Sequence, residues 1–182
     1  LYLVMGAVLD PGDEVLIPAP YWVSYTEQVR FLDAVPRLLP TDEASGFKLT
    51  PAALNQAISP RTRLVLLNTP CNPTGAVYSR AELEALGQVI VERDLLLVTD
   101  EIYERIVYDG AEHVSAAALS AELRARTVTV NGVSKAFSMT GWRIGYAARP
   151  SPWISAAESM QSQLIGNACS ISQEATRAAL AE

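Results

Sequence analysis

Leu64-Val65-Leu66-Leu67-Asn68-Thr69-Pro70-Cys71-Asn72-Pro73-Thr74-Gly75 is the stretch that decides the fold. Its apolar run is too short for a buried helix and passes straight into a turn rich in proline, asparagine and glycine. It therefore reads as a strand, Leu64–Leu67, covered on both faces and ending in a polar loop. The pattern recurs twice downstream. Leu95–Thr99 ends in Asp100-Glu101-Ile102-Tyr103, and Thr127–Val130 ends in Asn131-Gly132-Val133-Ser134-Lys135. Each step is about the length of one strand–helix–strand unit, roughly 30 residues. Upstream, Glu14–Pro18 reads as a further strand leading into Pro20-Tyr21-Trp22, and Arg143–Ala147 as another downstream.

Helices fill the intervals. Thr50-Pro51 supplies an N-cap followed by proline at the first helical position, and Ser59-Pro60 ends that helix. Ser79-Arg80-Ala81-Glu82 has the spacing of a capping box, with Leu83, Leu86 and Ile90 on one helical face up to Arg93-Asp94. Such crossovers are right-handed, and near-continuous apolar strands belong to parallel sheets covered on both sides. The expected fold is α/β, a mostly parallel, doubly wound sheet with helices on both faces. From Ser151, opening Ser-Pro-Trp, the chain is expected to form a long helix leaving the sheet.

Bulk properties narrow the function. The chain has 182 residues, a net charge of −6 and no basic stripe, which argues against nucleic acid. Cys71 and Cys169 form neither a disulfide framework nor a zinc pattern, and the lone His113 has no ligand partner near it in sequence, so no metal is expected. A reducing, cytoplasmic compartment follows, and no run reaches membrane-spanning length. The chain opens on Leu1-Tyr2-Leu3-Val4-Met5, read as a helix entered in its middle and closed by Asp10-Pro11-Gly12-Asp13. It stops inside a helix-like pattern, so it is expected to be a piece of a longer protein.

Ligands of open α/β sheets sit at the carboxyl ends of the strands. There the sequence gathers an aromatic pair, an amide, a carboxylate with a phenol, and a lysine, with Arg143 just beyond. Taken singly, each has a plain structural explanation: turn residues, helix caps, core aromatics and a solvated lysine. Together, and in this order, they resemble a known family. Pro20-Tyr21-Trp22-Val23-Ser24-Tyr25, Asn72-Pro73-Thr74-Gly75, Asp100-Glu101-Ile102-Tyr103, and Ser134-Lys135 followed by Gly141-Trp142-Arg143 resemble class I aminotransferases of fold-type I. The bacterial aspartate aminotransferase branch is the most similar, and the match runs over nearly the whole chain.

The resemblance implies pyridoxal 5'-phosphate as cofactor. By the same resemblance Lys135 carries it and shuttles the proton, Asp100 pairs with its pyridine nitrogen, and Tyr103 and Asn72 bond its phenolic oxygen. Trp22 stacks on its ring and, with Asn72, borders the substrate pocket, while Arg143 holds its phosphate. Lys135, Asp100 and Tyr103 are the implied catalytic residues. Two positions depart from the family's pattern: many members carry serine where Gly132 stands, and serine or threonine is common where Cys71 stands.

The implied domain is the central part of the large, cofactor-binding domain over residues 1–182. An N-terminal arm, a phosphate-cradling loop and a C-terminal small domain would lie outside it. The implied reaction is transfer of an amino group from aspartate to 2-oxoglutarate in a homodimeric, cytoplasmic enzyme. Its partners would be amino acids and 2-oxo acids, with no nucleic acid or membrane. Prephenate, aromatic or alanine aminotransferases and carbon–sulfur lyases remain as alternatives. So does the aminotransferase-like sensor domain of a transcription regulator.

Overall fold

The structure is a computed structural model that describes residues 1–148 and 153–181. Its elements run α1 (Tyr2–Gly6), β1 (Glu14–Ala19), α2 (Ser24–Arg30), β2 (Val35–Pro40), α3 (Pro51–Ala57), β3 (Thr62–Asn68), α4 (Arg80–Glu92) and β4 (Leu96–Asp100). They continue with α5 (Ala121–Arg124), β5 (Thr127–Gly132), α6 (Val133–Ala136), β6 (Gly145–Ala148), α7 (Trp153–Leu164) and α8 (Ser170–Leu180). The strands form one sheet in the order β2-β1-β3-β4-β5-β6. All neighbours are parallel except β5 and β6, which are antiparallel.

Side-chain alternation along the strands builds two cores. Val15, Ile17, Leu64, Leu66, Leu96 and Val98 face α1 and α2, where Met5, Tyr25 and Val29 meet them. Leu16, Val65, Leu67 and Leu97 face the other way, against Leu54 of α3, Leu83, Leu86 and Ile90 of α4 and Leu123 of α5. Each of these fully buried aliphatic chains contributes about 1.5–3 kcal/mol. The two faces together make the expected three-layer, doubly wound sheet. The helix starts behave as read: Thr50 accepts from the Ala53 amide, and Ser79 and Glu82 cap each other's backbone.

Three readings are corrected. The sequence pattern missed β2, an edge strand with Pro36, Arg37 and Pro40 in six residues. It lacks the apolar run of a central strand because its outer edge needs no partner for the missing amide hydrogens. Strand β6 begins at Gly145 rather than Arg143, because Arg143 sits in the left-handed region at φ 56°. The tail is two helices, not one long helix leaving the sheet. Trp153 and Ile154 of α7 pack back onto the core beside α1, and the chain turns at Gly166, φ +78°, before α8. Ser151 and Pro152 of that reading lie outside the described residues.

Candidate active site

Strands β3, β4 and β5 end side by side, with Asn68 paired to Asp100 in register and Asp100 to Val130. The loops that follow therefore open on one rim. A cleft of about 410 Å³ lies there, within the range of small-molecule sites. Trp22, Asn72, Asp100, Tyr103, Lys135 and Arg143 all line it, so the structure brings together every residue singled out in the sequence.

Asp100 carries the buried carboxyl of the cleft and is only 5 % exposed. Burial pushes its carboxyl above the usual carboxylate range, against hydrogen bonds that favour the ionised form. The chief of these comes from Tyr25, whose Oη donates to Asp100 Oδ2 at 2.8 Å; the Ile102 amide donates to Oδ1 at 3.3 Å. Tyr25 is itself buried, and desolvation together with the Asp100 charge raises its phenol far above the ordinary tyrosine value. It therefore stays protonated and serves as a permanent donor. Its ring meets Trp22 edge-on, centroids 5.4 Å apart, which leaves Trp22 at the cleft border, 37 % exposed.

Asn68 organises the neighbouring loop. Its Nδ2 donates to the Asp100 carbonyl at 2.8 Å, and its Oδ1 accepts from the Asn72 amide at 2.7 Å. One side chain thus ties two strand ends and places Asn72 on the rim. Tyr25 and Asn68 both line the cleft and were missed as site residues. The signal for Tyr25 was present: it lies three residues after Trp22, and its amide donates to the Trp22 carbonyl at 3.0 Å in the turn that opens α2.

Lys135 projects from α6, immediately after β5. Its Nζ stands 5.8 Å from the Tyr103 ring centroid, so the amine and the phenol share one wall. The turn that delivers it depends on Gly132. A Cβ there would lie 2.8 Å from the Ile144 carbonyl oxygen and 3.2 Å from Gly145 Cα, so the close β5–β6 approach disfavours any larger residue. Arg143 is exposed, its Nη1 donating to the Thr140 carbonyl at 2.9 Å, and it forms no ion pair among the described residues. Its left-handed backbone aims the rim loop at the cleft at the expense of local strain.

His113 also differs from expectation. Although alone in sequence, its Nε2 lies 3.0 Å from Glu101 Oε2, with Glu104 close by. Loop folding brings together groups twelve residues apart, which no local spacing reveals.

The cleft thus offers an exposed amine, a buried carboxyl held by a phenol, a second phenol, an amide, an indole face and an exposed guanidinium. A family model for aminotransferase class I and II matches residues 1–182. The chain belongs to the aminotransferase class I and II family. This family member is 53% identical to an aspartate aminotransferase of Geobacillus stearothermophilus, across 98% of the chain and 46% of that protein. Its structure superposes on the crystal structure of an aspartate aminotransferase from Rhizobium meliloti with a TM-score of 0.96 at 50% identity, covering 98% of this chain and 45% of that one. An aromatic aminotransferase from Pyrococcus horikoshii OT3 gives 0.96 at 40% identity, covering 100% and 48%. The chain therefore spans about half the length of the relatives it matches. Among the described residues no helix is long and apolar enough to cross a membrane.

Proposed function

We propose that the whole protein is a pyridoxal-phosphate-dependent aminotransferase that moves the amino group of aspartate to 2-oxoglutarate. The observation that carries this is the placement of the Lys135 amine and the buried, Tyr25-bonded Asp100 carboxylate on one cleft. The donor set fits the cofactor: an amine for its aldehyde, a carboxyl for its ring nitrogen, an aromatic wall and an exposed guanidinium for its phosphate. When bound, pyridoxal phosphate supplies an aldehyde that condenses with amines and a ring that withdraws electrons from the adjoining carbon.

The chain's own residues do the rest. Lys135 would hold the cofactor through its amine, and the same amine, when free, would stand on the cleft wall to carry the proton that leaves the substrate α-carbon. Asp100 holds a proton on the ring nitrogen, since an adjacent anion favours the charged form. Tyr103 and Asn72 would donate to the phenolic oxygen, Trp22 would pack on the ring and border the substrate together with Asn72, and Arg143 would hold the phosphate. Residues 1–182 form the central part of the cofactor-binding domain, and the whole protein works as a cytoplasmic homodimer on amino acids and 2-oxo acids.

Aspartate is favoured by the likeness to aspartate aminotransferases, and the likeness to the Pyrococcus aromatic aminotransferase supports an aromatic amino acid as the second reading. Borohydride reduction of the whole protein with pyridoxal phosphate, followed by peptide mapping, should label Lys135. Labelling elsewhere sinks the cofactor assignment. Turnover with a panel of amino donors then separates aspartate from aromatic substrates.

A further inference from the structure

Directly behind the cleft lies a second buried polar cluster. Glu101 follows Asp100 in the chain and is 1 % exposed. Among the described residues its only ion-pair partner is His113. Each oxygen of its carboxylate is engaged: Ser115 Oγ donates to Oε1 at 3.0 Å, and His113 Nε2 lies 3.0 Å from Oε2. The His113 side chain is 12% exposed, so the contact is largely shielded from water. Both partners come from the far end of the loop that leaves β4.

That loop carries Tyr103. It has no helix or strand between Glu101 and Ser115. Its near end is held by tight turns, Glu104 N to Glu101 O at 2.9 Å and Ile106 N to Tyr103 O at 2.8 Å. Among the described residues nothing hydrogen-bonds the Tyr103 hydroxyl, so the loop backbone decides where that phenol stands. On the sheet side, the Glu101 amide donates to Val130 O at 2.8 Å, while the Asp100 carbonyl accepts from Asn68 Nδ2 at 2.8 Å and Thr69 N at 3.2 Å.

We propose that Glu101 is a positioning residue: its carboxylate, gripped by His113 and Ser115, closes the 101–115 loop onto the end of β4 and so fixes both Asp100 and Tyr103. A buried carboxylate stripped of its donors is strongly unfavourable. The far end of the loop is therefore bound to the same peptide that the neighbouring strands hold in register. The inference builds on the cleft as a cofactor site, but the device itself is a property of the cofactor-free fold.

Two variants of the whole protein test it. Glu101→Leu keeps the bulk and removes the grip, whereas Glu101→Gln keeps an acceptor for Ser115 and can still pair with His113. Hydrogen exchange of the cofactor-free protein reads the loop. In Glu101→Leu, peptides covering 102–115 should exchange roughly tenfold faster while those in α4 and β3 are unchanged. Glu101→Gln should restore protection. Pyridoxal phosphate affinity, measured by titration, should fall roughly tenfold or more in Glu101→Leu, because displaced groups no longer meet the ligand together. It should stay within about threefold of wild type in Glu101→Gln.

Unchanged exchange in Glu101→Leu overturns the proposal, as does a loosened loop with unchanged affinity. If Glu101→Leu does not fold, Ser115→Ala, which removes one donor, must show the same loosening confined to the loop, and its absence overturns the proposal. If wild type binds no pyridoxal phosphate, the cofactor assignment fails, and the exchange data alone decide whether Glu101 holds the loop.

Discussion

Tyr25→Phe removes one oxygen atom and isolates the contribution of the hydrogen bond on Asp100. The phenol is buried, donates at 2.8 Å, and is the strongest single influence keeping the carboxylate ionised against burial. Without it, Asp100 Oδ2 has no partner among the described residues, and Oδ1 keeps only the longer bond from Ile102. A hydrogen bond to a charged group contributes about 1.5–3 kcal/mol. Any ligand that binds through ionised Asp100 should then weaken by roughly 10- to 100-fold. The sign with pH is fixed by the folded-state shift. Asp100 titrates higher in the folded protein than in the unfolded chain, so its contribution to stability is full at acid pH and is lost as pH rises through the folded value. Loss of the Tyr25 donor raises that value further, so the variant should be destabilised most at neutral pH and least in acid. Pyridoxal phosphate titration and urea unfolding at both pH values check this. Equal destabilisation at both, or unaltered affinity at neutral pH, would refute the claim that Tyr25 acts through the Asp100 charge.

Further outcomes follow from other buried groups. Gly132→Ala forces a Cβ to within 2.8 Å of a backbone oxygen that cannot easily yield, and overpacking of this kind costs about 1–3 kcal/mol; a neutral change in urea unfolding would show that β6 gives way. Glu14 is held below the ordinary carboxylate range first by Ser59, whose Oγ donates at 2.6 Å, and then by Arg37 and Arg61. Its stabilisation should be present above the unfolded value and lost as pH falls through the folded one, and Glu14→Gln should flatten this acid limb of the stability curve. Asp100→Asn should abolish most turnover yet leave the cofactor-free protein at least as stable at neutral pH, because burial disfavours the charge it removes. A clear fall in its melting temperature would show that the ionised form is the better fitted one.

Much of this protein is written locally. The buried strands announce themselves because both faces are covered, so β3 and β4 are runs of apolar residues. Caps at Thr50 and Ser79 mark helix starts through hydrogen bonds spanning three residues, which spacing alone can reveal. Site residues follow from the same logic, since a parallel sheet delivers the ends of its central strands to one rim. Asn72, Asp100 and Lys135 could therefore be placed on a common cleft before any coordinates.

What the sequence could not settle depends on approach between distant segments. Strand β2 is invisible because its identity comes from the neighbour it pairs with, not from its own polarity. The path of α7 is set by the apolar face of α1 and the sheet that Trp153 and Ile154 cover. Tyr25 meets Asp100 across 75 residues, and Glu101 meets His113 and Ser115 only once the loop has closed. Local pattern determined which groups reach the rim. Packing across the sheet decided which of them are buried and which are bonded, and for Asp100 which way its proton affinity moves.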